Sequence, residues 1–339
     1  MLTLIGLHED NDTSVVTGWG ECSALNEPGY TAEWAEGAFD LLRSGQPFAR
    51  KQAPMATAAI EMAMLDAELK LAGQSLADRL GTAGMTSTAG AVVGLGPMPA
   101  MLDEIEALAT AGFTRVKVKI APGRIVVPLT AIRTSFPELE LHVDANGSLR
   151  PEDLPALQTL RDLGVRAVEQ PFAVGDNASA SRLVAETDLA VVADEAVQTP
   201  ADIDDLAADR AATAITVKPP KLSGIQVALT MLDRIHVAGM QASIGGMLEG
   251  GLGRHALAAL APLPAFNLIG DLSPAKQWLL DDPFYDITFR NGHIAAPSRP
   301  GIAGSPMKTR LDRYKVRHAI VDAATALAAL DSSTELSLP

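Results

Sequence analysis

Lys119, Asp144, Glu169, Asp194 and Lys218 follow one another at intervals of 25, 25, 25 and 24 residues, each at the end of a short, largely apolar run. A repeat of that length holds a strand, a helix and two turns. This is the unit of a parallel sheet, whose neighbouring strands must be joined by a crossover. One step back reaches Gly94, after the apolar run at 89–93, and further steps forward reach Ser243 and Leu268. Eight such units close into a (β/α) barrel of the TIM type, and a barrel brings the carboxyl end of every strand to one rim. The fold class is therefore α/β, with two amines and three carboxylates delivered to equivalent places.

Within the repeat, strands are expected over 115–120, 139–144, 165–169, 190–194 and 214–218, and helices over 151–163 and 225–237. Pro151 stands where a helix should start, and Gly164 and Gly239 stand just past helix ends. Ahead of the repeat, 15–22 reads as a strand after the turn-rich Glu9-Asp10-Asn11-Asp12, and Ile60, Met64, Ala67 and Leu71 make one apolar helical stripe. That is a separate α+β piece. Gly94-Leu95-Gly96 and Gly250-Gly251-Leu252-Gly253 lack the full dinucleotide or phosphate-loop pattern and read as tight turns at the rim. The expected division is an N-terminal α+β part over 1–87, the barrel over 88–296 and a C-terminal segment over 297–339.

A formal net charge of −14 argues against nucleic acid or an anionic membrane as partner, since either needs a basic face. A small-molecule carboxylate is the expected partner, and a homo-oligomer is compatible with the chain. Cys22 is the single cysteine, so neither a disulfide framework nor a multi-thiolate zinc site is available, and it reads as a small buried apolar residue. The segment 256–270 is low in charge but short and interrupted by Pro262 and Pro264, which excludes a membrane span there. A cytoplasmic location is expected.

Side chains alternate across a strand, so Lys117 shares a face with Lys119, as does His142 with Asp144, and with Asn146 if that strand runs on. Three carboxylates from successive strands, Asp144, Glu169 and Asp194, would repel one another in a low-dielectric cup unless a cation held them. An oxygen-only donor set points to a hard ion, Mg2+ first, with Mn2+ as the alternative. Lys119 precedes the trio and Lys218 follows it, so the two amines should face each other across the site. Such a site suits removal of a proton next to a substrate carboxylate, with Lys117 lowering the Lys119 pKa by like-charge repulsion. His142 lies deeper and is read as a layer residue of the barrel. The other five histidines show no metal-ligand spacing.

These residues and several local motifs resemble the enolase superfamily in its muconate-lactonising subgroup, and most closely the o-succinylbenzoate synthase and N-succinylamino acid racemase family. The likeness rests on Gly18-Trp19-Gly20-Glu21, Ala59-Ile60-Glu61-Met62-Ala63, Lys117-Val118-Lys119, Val143-Asp144-Ala145-Asn146, Glu169-Gln170-Pro171, Asp194-Glu195 and Val217-Lys218-Pro219. It continues through Gly245-Gly246-Met247-Leu248-Glu249, Gly251-Leu252-Gly253-Arg254 and Gly270-Asp271-Leu272-Ser273. The resemblance implies a modified barrel under an α+β capping domain built from both ends of the chain. It implies Asp144, Glu169 and Asp194 as metal ligands, Lys119 and Lys218 as acid/base residues, and Lys117, Asn146, Glu195 and Glu249 as supports. In the synthase reaction of menaquinone biosynthesis, Lys119 would remove a proton and return it to the departing hydroxyl. In the racemase reaction both lysines would exchange protons on opposite faces.

Three departures stand beside the resemblance. Met1 lies close to what is the second strand of the family's cap, the stretch 28–55 looks short for the helices expected there, and Lys218-Pro219-Pro220-Lys221-Leu222-Ser223-Gly224 lacks paired glycines. Three readings follow: a synthase, a racemase using the same lysines, or a metal-binding relative whose incomplete cap impairs catalysis.

Overall fold

The chain opens with an antiparallel hairpin of β1 (Thr3–Asn11) and β2 (Ser14–Cys22), in register from Thr3 opposite Cys22 to Asn11 opposite Ser14. The computed structural model describes residues 3–11, 14–46, 48–315 and 317–320. Glu9, Asp10 and Asn11, read from sequence as turn formers, are instead the last residues of β1. Pairing with Val16, Val15 and Ser14 overrides their weak strand preference. Asp12 falls outside the described residues.

Two helices follow, α1 (Ala35–Ser44) and α2 (Pro54–Leu71), separated by a 3-10 turn at Arg50–Gln52. The stretch that looked too short for helices thus holds one of ten residues. β2 lies so close to α2 that a Cβ on Gly18 or Gly20 would overlap the carbonyl oxygens of Ala63 or Ala59. This is the physical content of the Gly-Trp-Gly motif. The expected single stripe understates α2: every residue from Met55 to Ala63 is buried, while Leu71 at its end is exposed. The helix is covered by the hairpin on one side and packs towards the barrel on another.

α3 (Leu76–Leu80) and β3 (Thr86–Thr88) lead into the repeat. It runs β4 (Gly90–Val93), α4 (Met98–Thr110), β5 (Arg115–Lys119), α5 (Val126–Ser135), β6 (Glu140–Asp144), α6 (Leu154–Gln158), β7 (Val165–Glu169) and α7 (Asn177–Glu186). Then come β8 (Ala190–Ala193), α8 (Pro200–Ala208), β9 (Ala214–Val217), α9 (Ile225–Val237), β10 (Gln241–Ile244) and α10 (Gly251–Leu260). β4 to β10 form one parallel sheet in chain order. The eighth place is taken by residues 267–272, where Leu268 bridges to Ser243 and Asp271 to Gly90. Asp271 N–H donates to the Ile244 carbonyl and Leu272 N–H to the Gly90 carbonyl, so this short segment closes the barrel between β10 and β4.

Two expected elements differ. The helix over 151–163 is a 3-10 turn at Pro151–Asp153, five residues of α6 and a run of turns; the break before α6 follows from Pro155, which has no N–H to offer the Pro151 carbonyl. Gly251 to Gly253 are not a tight turn but the first turn of α10. Beyond the barrel, β11 (Phe289–Arg290) pairs with β12 (His293–Ala295), and β12 pairs with β3. The chain then returns to the N-terminal part: Leu76 N–H donates to the Gly301 carbonyl and Ile302 N–H to the Asp66 carboxylate, ahead of α11 (Lys308–Tyr314).

Candidate active site

Strand alternation sorts the barrel residues into two sets. Val116, Val118, Leu141, Val143 and Val168 pack outward with Leu129 and Ile132 of α5 in an apolar layer. Their neighbours carry charge into the interior. The parallel register puts Lys119 beside Asp144 and Asp144 beside Glu169, at one level of the rim. Asp194 and Lys218 are the first residues past β8 and β9. Asp144, Glu169, Asp194 and Lys218 are all buried, whereas the Lys119 side chain is 30% exposed and is the more accessible amine.

Each carboxylate is held by ammonium groups. Lys119 Nζ donates to Asp144 Oδ2 at 2.7 Å and to Asn146 Oδ1 at 2.5 Å. Lys117 Nζ bridges Glu169 Oε1 at 2.8 Å and Asp144 Oδ2 at 3.5 Å, and also pairs with Asp271. Lys218 Nζ lies 2.6 Å from Asp194 Oδ2, and Lys221 Nζ 2.8 Å from Asp194 Oδ1. Burial alone would push Asp194 up, but Lys218 and Lys221 outweigh it and hold the carboxyl well below the usual range. Burial, then the neighbouring charges of Asp144 and Asp194, pushes Glu169 up to about 7 against the pull of Lys117.

Lys117 departs from the sequence expectation. It does not stand as a bare like charge beside Lys119 but is closed in by Asp271, Glu169 and Asp144; burial would lower its pKa, and these carboxylates more than reverse that. Arg115, below it on β5, donates to Asp271 and to Nδ1 of His142, whose Nε2 side faces Glu140 Oε1 at 2.9 Å. Burial first, then Arg115, lowers the His142 pKa, so the ring is neutral and serves the interior of the barrel. Asn146 is not on the strand, which ends at Asp144; it has a φ of 45° and points Nδ2 at Glu195 Oε1, 2.8 Å away. Glu249 is not with the carboxylate trio. It accepts the Met247 N–H and pairs with Arg254 at 3.0 Å, organising the loop before α10.

The trio offers hard oxygen donors on adjacent strands, close enough that two of them raise the pKa of the third, and that chemistry fits a divalent cation. As they stand, no three Asp, Glu, His or Cys side chains among the described residues have the spacing to hold a metal ion. Lys117 bridges two of the oxygens concerned.

Sequence periodicity missed Tyr30, Lys221 and Asp271. Tyr30 lies in the irregular segment between β2 and α1, off the 25-residue beat, yet its hydroxyl donates to Asp194 Oδ2 at 2.5 Å and accepts from Lys218 Nζ at 2.8 Å. Burial, then Asp194, pushes its pKa up, so it keeps its proton. Lys221 is three residues past Lys218, and Asp271 three past the eighth beat, spacings that in hindsight mark both.

Cap carboxylates register this part of the chain on the barrel. Glu61 of α2 accepts the Ile225 and Gln226 N–H groups at 2.6 and 2.8 Å, and Glu21 of β2 accepts those of Gly250 and Gly253 at 2.7 and 3.0 Å. Both thus sit at helix amino ends, α9 and α10, where free N–H groups and the helix dipole favour an anion.

Fold and site together define a barrel enzyme with a capping domain and a cup of amines and carboxylates at the strand ends. Residues 100–307 match the family described as enolase C-terminal domain-like. The chain is 36% identical to the o-succinylbenzoate synthase of Bacillus subtilis over 310 residues, covering 86% of this chain and 84% of that one. It is 32% identical to the N-succinylamino acid racemase of an Amycolatopsis species over 315 residues, covering 87% and 86%. Among solved structures, a probable mandelate racemase from Alicyclobacillus acidocaldarius superposes with a TM-score of 0.83 at 31% identity, covering 93% of this chain and 90% of that one. The chain belongs to the enolase superfamily, with o-succinylbenzoate synthases and N-succinylamino acid racemases among its relatives. No helix among the described residues is long and apolar enough to cross a membrane.

Proposed function

We propose that the chain is an Mg2+-dependent o-succinylbenzoate synthase acting in menaquinone biosynthesis. The observation that carries this is the placing of two lysines on either side of three buried carboxylates, with the more accessible amine, Lys119, at the level of Asp144 and Glu169. Asp144, Glu169 and Asp194 would hold the cation, which when bound supplies charge to stabilise an enediolate. Lys119 removes the proton next to the carboxylate of a cyclohexadiene carboxylate and returns it to the departing hydroxyl on the same face, releasing water. Asn146, itself held by Glu195, aims that amine. Lys218 steadies the intermediate from the opposite side through its positive charge.

A second reading, N-succinylamino acid racemase, is favoured by Lys218 itself. It has its own carboxylate and its own neutral oxygen partner, as Lys119 does, which is the symmetry that proton exchange on two faces requires. Assay of the purified protein with the cyclohexadiene carboxylate and with both enantiomers of an N-succinylamino acid, each with and without Mg2+, tests both. Metal-dependent dehydration supports the first reading. Racemisation without dehydration replaces it with the second, and inactivity on both overturns the proposal.

A further inference from the structure

Tyr30 joins the cap to the catalytic rim through the side chains that the proposed function needs to move a proton or steady a charge. Its hydroxyl accepts from Lys218 Nζ at 2.8 Å, its ring centroid lies 5.0 Å from the same nitrogen, and its proton goes to Asp194 Oδ2. The segment that carries it is pinned. Gly29 N–H donates to the Thr31 carbonyl, and Thr31 Oγ1 to the Glu33 carbonyl. The Glu33 carboxylate in turn accepts the Met55 and Ala56 N–H groups at the start of α2. Helix α2 is the element that Glu61 docks on α9. The phenol is therefore placed by the fold and not by a free loop.

We infer that Tyr30 is a positioning residue for Lys218. The inference rests on the proposed function above and adds the group that aims its second amine. An amine held only by a carboxylate is held as a salt. A phenol oxygen fixes the direction of the amine without adding charge. Asn146 stands in the same relation to Lys119: each lysine has one carboxylate and one neutral oxygen partner.

The test is Tyr30→Phe, which keeps the ring and removes the hydroxyl. The expected result is a fall in kcat of roughly ten- to a hundredfold with KM within about twofold, the cost of misplacing a catalytic group by up to about 1 Å. If N-succinylamino acids are substrates, exchange of the α-proton in heavy water should slow on the Lys218 face and persist on the Lys119 face. In a Lys218→Ala background, Tyr30→Phe should slow the remaining Lys119-face exchange or turnover no further. A rise in KM with kcat unchanged, an equal loss on both faces, or wild-type kinetics would overturn the inference and leave the proposed function standing. A wild-type protein inactive on both substrate classes would overturn both.

Discussion

Replacing Glu61 by alanine removes one of the carboxylates that tie the cap to the barrel. Its two oxygens take the Ile225 and Gln226 N–H groups at 2.6 and 2.8 Å, and the residue is only 6% exposed, so water cannot readily replace them. Hydrogen bonds to a charged group are worth about 1.5–3 kcal/mol each. Burial pushes the Glu61 carboxyl pKa up, a sign that desolvation takes back part of that gain. The net loss for Glu61→Ala should be about 3 kcal/mol, above the roughly 0.5–2 kcal/mol for removal of a single helix N-cap because two N–H groups lose a charged acceptor. At about 2–4 °C per kcal/mol for a domain of 150–250 residues, Tm should fall by roughly 6–12 °C. Urea unfolding followed by tryptophan fluorescence and by circular dichroism reads the loss as a shift of the transition. The two probes should separate in the variant, because two of the three tryptophans, Trp19 and Trp34, report on the cap while helix content is mostly barrel. A variant within about 0.5 kcal/mol of the parent, with coincident transitions, would refute the docking argument.

Other consequences follow from the same geometry. Because the Glu169 pKa is raised to about 7, a proton competes with a cation below that pH. Apparent Mg2+ affinity should fall by up to about tenfold per unit as the pH drops below 7 and level off above it, as calorimetry from pH 5.5 to 8.5 can check. Gly224→Ala should destabilise by roughly 2 kcal/mol or more in chemical unfolding, since φ is 124° there and a Cβ would meet the Glu61 carboxylate. If N-succinylamino acids are substrates, Lys218→Arg should stop proton exchange on the Lys218 face only, because a guanidinium does not deprotonate in the working range; equal exchange of both enantiomers in heavy water would contradict this.

The barrel was legible because its period is long, and Lys119, Asp144, Glu169, Asp194 and Lys218 all fall at or just past strand ends. Boundaries were less so. Periodicity cannot register that Pro155, with no N–H for the Pro151 carbonyl, keeps the turn at Pro151 out of α6, or that pairing draws Glu9, Asp10 and Asn11 into a strand. The site residues on the beat were legible for the same reason as the strands. Tyr30 was not, because it reaches the rim from a segment with no period, placed by Glu33 and α2 across a long sequence separation. The setting of Lys117 was misread because only the closed barrel brings Asp271, from the eighth position, against it.

The central claim is that Lys119 moves the proton beside the substrate carboxylate. Its most direct test is turnover of the cyclohexadiene carboxylate by Lys119→Ala, with fold and metal affinity verified in the same preparation. Loss of a positioned acid/base group costs about a hundred- to ten-thousandfold. Beside an active wild type, kcat should fall by about a thousandfold or more, and a variant retaining activity within tenfold of wild type would rule out Lys119 as the proton carrier.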